Sequence, residues 1–167
     1  MEQLYQILKT LAAHRVRFVV IGNLGASLHG ANVLTMDADV ACGRGRENRE
    51  RLMAALKELR ARYRLVGGVK GKRVQTKAPD LLRAQEIWNL TTKHGDLDLL
   101  YAPAGGGYEY LVEGAIGVDV GDGWIVLAAS LDDIIASKEL AGRPKDHQVL
   151  PELRWFRDQR REDRDGQ

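Results

Sequence analysis

Two aspartates one residue apart, Asp37 and Asp39, sit inside an otherwise apolar run, Met-Asp-Ala-Asp-Val-Ala-Cys at residues 36–42. The run reads as a short strand. Side chains alternate faces along a strand, so both carboxylates point the same way. Two anions held that close repel unless a cation sits between them, and a hard, oxygen-seeking ion such as Mg²⁺ suits the gap. A pair of this kind is by itself common among edge and loop acids, so its surroundings decide how much it means.

Those surroundings add two features. Downstream, Gly-Asp-Leu-Asp-Leu-Leu at 95–100 supplies Asp98 between Leu97 and Leu99, on a strand whose other face reads as buried. If this strand neighbours the first, Asp98 completes the trio of acids that fixes two metals about 3.5–4 Å apart for in-line displacement at phosphorus. Asp96 shares the parity of Asp98 but follows the turn directly, and is expected to be a solvated turn residue. Upstream, Val-Val-Ile-Gly-Asn-Leu-Gly-Ala-Ser-Leu-His-Gly at 19–30 reads as a buried strand, a glycine turn and a short helix closed by Gly30. Backbone N–H groups at that turn could cradle phosphate oxygens, since glycine lets the backbone come near.

The rest of the chain frames these pieces. Leu4, Ile7, Leu8 and Leu11 share one face of an N-terminal helix, and Leu52, Ala55, Leu56 and Leu59 form the stripe of another. Residues 66–77 are rich in Gly and Lys and read as a turn or mobile loop. Hairpins are expected around His94-Gly95 and Gly121-Asp122-Gly123, and a glycine-rich loop leads into a short helix near Tyr108. Ser130 is the expected N-cap of a helix ended by Gly142-Arg143-Pro144. A further helix follows, bent or restarted at Pro151 and frayed beyond Arg160. This order predicts an α+β fold: a mixed twisted sheet flanked by helices, in one domain over residues 1–167, with C-terminal helices from about 131–160.

Charge and composition narrow the function classes. No run of about 18 apolar residues offers a membrane span. The N-terminus mixes charge into its apolar residues, unlike a signal peptide. Cys42 is the single cysteine, which removes disulfides and cysteine clusters and makes a reducing cytoplasmic location the expectation. The four histidines lack zinc spacing. His29 is expected to cap or pack the short helix, and Trp88, Trp124, Trp155 and Phe156 are expected to pack. From Arg44 to Lys77 there are twelve Lys and Arg against Glu47, Glu50 and Glu58, whereas residues 95–137 hold eight acids and no Lys or Arg. That polarity is either a solvated surface or an edge that attracts a polyanion.

Together the motifs Phe-Val-Val-Ile-Gly-Asn, Leu-His-Gly, Thr35-x-Asp37-x-Asp39, Gly-Asp-Leu-Asp98 and Ser-Lys138-Glu-Leu-Ala-Gly-Arg143-Pro-Lys145-Asp146 resemble the nucleotidyltransferase superfamily with the polymerase β palm-like fold. The similarity is greatest to its small prokaryotic branch related to abortive-infection-type toxins, and spans about Arg17 to Leu153. The resemblance implies transfer of a nucleotidyl group from an NTP to an acceptor hydroxyl on an RNA end such as tRNA, a protein or a small molecule. It implies that Asp37, Asp39 and Asp98 are catalytic and hold Mg²⁺ or Mn²⁺, with Asp98 helping to deprotonate the acceptor. Gly22, Asn23, Lys138 and Lys145 would bind the nucleotide. A toxin role with an antitoxin partner belongs to the same analogy. This chain has Asn23 where the family prefers Gly or Ser, and Val33 where relatives tend to carry Arg. Those two departures keep open an alternative, a catalytically inactive nucleotide- or partner-binding module with the same fold.

Overall fold

The computed structural model describes residues 1–68, 70–75, 82 and 85–165. Its sheet begins with β1 (Phe18–Ile21), four residues all buried, which is why this run reads as apolar without alternation. β1 lies antiparallel to β2 (Asp37–Cys42), with Ile21 opposite Asp39. On its other side β2 pairs in parallel with β6 (Gly95–Leu100), which forms a hairpin with β5 (Ile87–Thr92). β3 (Arg62–Arg64) and the edge strand β4 (Lys70–Arg73) extend that side. β8 (Ile125–Ala128) runs parallel to β1, and β7 (Ile116–Asp119) closes the far edge. Among the described residues the eight strands stand in the order β4-β3-β5-β6-β2-β1-β8-β7.

Side-chain alternation divides the central strands between two cores. Val20, Ala38, Val40, Cys42, Leu97 and Leu99 face α1 (Glu2–Ala13) and α3 (Arg46–Glu58), whose Leu8, Leu11, Leu52 and Leu56 are buried there. Val19, Ile21 and Ala41 face the opposite way, onto α4 (Tyr108–Gly114), α5 (Leu131–Ala141) and α6 (Pro144–Asp165). The short α2 (Gly22–Leu28) leaves the end of β1 directly. Asp37, Asp39, Asp96 and Asp98 lie on this second face by parity, so burying Ala38, Val40, Leu97 and Leu99 forces the carboxylates onto one surface.

Several expectations change in detail. Asp96 is a strand residue opposite Asp37, not a turn residue, because the hairpin turn is made by Lys93 and His94 and β6 starts at Gly95. Of the supposed loop at 66–77, residues 66–68 form a 3₁₀ turn and 70–73 the Lys-rich edge strand, while positions 69, 76 and 77 lie outside the described residues. Lysines along an edge discourage other strands from adding to it. α6 starts at Pro144 and passes through Pro151 without restarting, since Pro151 lies on an exposed side while Leu150 and Leu153 are buried. It also continues past Arg160. Arg161 pairs with Asp132 at 2.8 Å, and Arg160 donates to the His29 carbonyl at 2.6 Å, which ties the end down. Trp88 is buried as expected, but Trp124 and Trp155 are exposed by 38% and 60% and do not belong to either core. The Ser130 N-cap, accepting from the Asp133 N–H, and the left-handed Gly142 C-cap fall where the sequence places them. Among the described residues no helix is long and apolar enough to cross a membrane.

Leu97 shows how core and carboxylates depend on each other, since it is fully buried between Asp96 and Asp98 on the opposite face. Leu97→Ala is expected to cost about 2–5 kcal/mol, measured as a lowered urea midpoint.

Candidate functional site

In the parallel β2–β6 ladder Asp39 stands opposite Asp98 and Asp37 opposite Asp96. One carboxylate oxygen each from Asp37, Asp39 and Asp98 lies within 4.8 Å of the other two. Burial pushes the Asp39 carboxyl up to about 7, the charges of Asp37 and Asp98 add to this, and Lys145 and Lys138 pull it back. Asp98 is raised to about 6, again by burial first; Arg64 opposes the rise, while Asp37 and Asp96 reinforce it. The nearby cations therefore do not offset the burial and mutual repulsion of these acids. Three oxygen donors of one sign, gathered and partly desolvated, are suited to a hard divalent cation.

The turn from β1 into α2 passes over this group. Gly22 has φ of +66°, and a Cβ there would fall 2.3 Å from Asp39 Oδ2, so only glycine allows the backbone this close. Asn23 follows. Its Nδ2 donates to the Leu34 carbonyl at 2.8 Å, and its Oδ1 is buried without a hydrogen-bond partner among the described residues. Ser27 donates to the Val33 carbonyl and Thr35 to the Asp37 carbonyl. Val33 packs against the second core. The segment between α2 and β2 is thus latched to α2 by Asn23 and Ser27. His29 is the C-cap residue of α2, and its Nε2 lies 2.7 Å from the Ala129 carbonyl, so the side chain packs the helix end against the residue after β8.

The third wall comes from the α5–α6 junction. Asp146, 1% exposed, accepts from Arg143 Nε at 2.7 Å and lies 3.4 Å from Lys138 Nζ. Burial alone would raise the Asp146 carboxyl, but Arg143 and Lys138 hold it below the usual range. Lys138 is shifted down by its own burial, against the pull of Asp146 and Asp39. Lys145 is exposed. Gly22, Asn23, Asp37, Asp39, Lys138, Arg143, Lys145 and Asp146 line one cleft of about 270 Å³, with Ile21, Leu111, Ala129 and Ile134 as its apolar side. Six of the seven residues singled out in the sequence thus share this cleft. Asp98 does not line it and is engaged from the β3 side.

That engagement has no sequence signal. Arg64 Nη1 pairs with Asp96 Oδ2 at 2.7 Å, and Nη2 pairs with Asp98 Oδ1. Asn89 is the cross-strand neighbour of Asp98. Arg64 is thirty-four positions from Asp98 in sequence, and only the strand order brings them together. Arg143 and Asp146 were visible as part of a motif, and their i,i+3 spacing on a helix start marks an ion pair.

No protein-family profile and no curated protein sequence matches the chain. Among solved structures, the crystal structure of ANT(2'')-Ia in complex with adenylyl-2''-tobramycin aligns with a TM-score of 0.54 at 16% identity, covering 88% of this chain and 83% of that one. The fold is the nucleotidyltransferase fold. A solution structure of the antibiotic-resistance factor ANT(2'')-Ia aligns with a TM-score of 0.48, also at 16% identity, over 90% of this chain and 80% of that one.

Within this fold several basic side chains at 44–77 are paired locally, two of them, Arg44 and Arg64, with acids from outside the segment. Arg44 pairs with Glu86, Arg46 with Glu50, Arg51 with Glu47, and Arg64 with the two acids of β6. Arg62 and Arg73 are opposite one another, and Arg62 is opposite Thr91, which is opposite Asp96. Arg62 and Arg73 therefore share the carboxylate face, and Arg73 and Lys70, at the two ends of β4, are exposed.

The raised carboxyls make the cation-free protein pH-sensitive. Their folded pKa values exceed the unfolded ones, so the folded state binds more protons and stability falls as pH rises from about 4 through 7. Asp39→Asn removes the larger part of this effect. It is expected to raise the melting temperature at pH 8 by roughly 4–8 °C and by less at pH 5, measured by calorimetry in EDTA.

Proposed function

We propose that this chain is a metal-dependent nucleotidyltransferase, moving a nucleotidyl group from an NTP to an acceptor hydroxyl. The observation that carries the reading is the convergence of Asp37, Asp39 and Asp98, with oxygens within 4.8 Å of one another, where Asp37 and Asp39 line a cleft that Lys138, Arg143 and Lys145 also line. The donor set is all carboxylate and fits Mg²⁺ or Mn²⁺, which would supply neutralisation of phosphoryl charge when bound.

The chain's own groups divide the remaining work. The Gly22 turn and Asn23 line the phosphate end of the cleft, where Gly22 keeps Asp39 uncovered. Lys145 is exposed and supplies charge to the triphosphate directly. Lys138, bound to Asp146, acts as a fixed positive charge behind it. Ile21, Leu111, Ala129 and Ile134 offer the apolar contact a base needs. Asp98, raised to about 6 and set outside the cleft, takes the proton of the acceptor hydroxyl. In such chemistry positioning and electrostatics dominate. The complex of ANT(2'')-Ia with adenylyl-2''-tobramycin supports transfer onto a small-molecule acceptor. On this chain the exposed Lys70 and Arg73 of the edge strand, with Arg62 on the strand beside it, favour an anionic acceptor such as an RNA end.

The test is incubation with α-labelled NTPs and Mg²⁺ against total tRNA and an aminoglycoside panel. Labelled product is expected with the wild type, with loss of at least about 100-fold in Asp39→Ala and complete loss in EDTA. Undiminished labelling by Asp39→Ala overturns the reading. Mn²⁺ affinity is also expected to fall as pH drops through about 7 and 6, because protonated Asp39 and Asp98 are no longer ligands; titration calorimetry at pH 8 and pH 5.5 measures this. A second reading, a binding module without transfer, draws on Asn23, whose amide is committed to Leu34. It predicts NTP binding by calorimetry with no labelled acceptor.

A further inference from the structure

Asp98 differs from its two companions in how it is held. Asp37 and Asp39 line the cleft, whereas Asp98 lies beside it with three like charges close by: Asp39 opposite it, Asp37 near, and Asp96 two residues back on the same face. Like charges this close repel one another. The Asp98 carboxylate is held on the β3 side. Arg64 Nη2 engages Oδ1, and the side-chain amide of Asn89 lies 3.3 Å from both oxygens. A carboxylate has about four lone-pair sites, so these contacts fix its plane and still leave capacity for a cation.

Arg64 is itself held. Its other nitrogen, Nη1, pairs with Asp96 at 2.7 Å, so one guanidinium bridges two acids at i and i+2 of one strand. The sheet register puts it there. Tyr63 pairs with Leu90, so Arg64 comes beside Asn89, which pairs with Asp98. The side chain of Arg64 is 18% exposed and that of Asp98 16%. This is a planar fork in a sheltered setting, a task that a lysine's point charge does not reproduce.

We propose that Arg64 is the positioning residue of the third carboxylate: anchored by Asp96, it locks Asp98 in the orientation that keeps one oxygen facing Asp37 and Asp39. The inference rests on the metal-binding reading of the trio. Groups of this kind, which orient a ligand without touching the cation, commonly alter metal affinity by about 10–100-fold.

The experiment is Mn²⁺ binding to the full chain, followed by calorimetry and by electron paramagnetic resonance of free Mn²⁺, with no nucleotide present. Arg64→Lys keeps the charge and loses the fork, so any change reports orientation rather than electrostatics. It is expected to weaken Mn²⁺ binding by about 10-fold or more, while Arg62→Lys, at a position that pairs with no carboxylate among the described residues, leaves it unchanged. In an Asp98→Asn background, adding Arg64→Lys is expected to have no further effect, because Arg64 acts through Asp98. Asp96→Asn, which frees one arm of the fork, is expected to shift affinity in the same direction and guards against a misfolded Arg64 variant. Wild-type affinity in a folded Arg64→Lys protein overturns the proposal and leaves the metal reading standing. An equal loss with and without Asp98 overturns it too. No Mn²⁺ binding by the wild type overturns both.

Discussion

Four carboxylates on one sheet surface repel, and the fold is arranged around containing that repulsion. β2 and β6 lie parallel and in register, so Asp37 meets Asp96 and Asp39 meets Asp98. The same register puts Ala38, Val40, Leu97 and Leu99 into the core, where they are fully buried. Shifting either strand by one residue would relieve the charges but expose those apolar side chains. Hydrophobic burial on one face thus supplies the force that holds like charges together on the other. Positive groups then approach from both sides, with Arg64 from β3 and Lys138, Arg143 and Lys145 from the α5–α6 junction.

The two sides differ in kind. At the helix junction the organising group is a buried anion, Asp146, which gathers Lys138 and Arg143 and keeps them from collapsing onto the trio. A buried carboxylate is costly unless paired, and here two cations pair it. Gly142 in the left-handed conformation and Pro144 at the helix start make the tight corner that places Asp146 between them. On the β3 side the organising group is a cation, Arg64, held by two anions. The cleft is bounded by one arrangement and Asp98 is governed by the other.

What could be read from the chain follows the range of the interactions. Parity along a strand is local, so the shared face of Asp37 and Asp39 was legible, as were the Ser130 cap and the Gly142 stop. That Asp98 would join them needed one assumption, adjacency of two strands, which the mixture of a Gly turn and two apolar-flanked acids favoured. Asp96 was misplaced because the turn was centred on His94-Gly95, and one residue of turn position separates a solvated acid from a ladder partner. Arg64 was invisible among twelve Lys and Arg of one segment, since its value depends on the order β3-β5-β6, which no local pattern states. Trp155 was read as packing because aromatics usually do, whereas α6 turns it outward and buries Leu150 and Leu153 in its place.

The last helix has a reach that its amphipathic pattern does not suggest. Arg160 hydrogen-bonds the carbonyl of His29 while Arg157 and Arg161 grip Asp132, and His29 in turn contacts Ala129. The far end of the chain thereby braces the rear of the seven-residue helix α2 whose front is the Gly22 turn. Shortening or tagging the polypeptide beyond residue 156 would accordingly be felt about two helical turns away, at the strand end where Asp39 emerges, as though a guy-rope had been slackened.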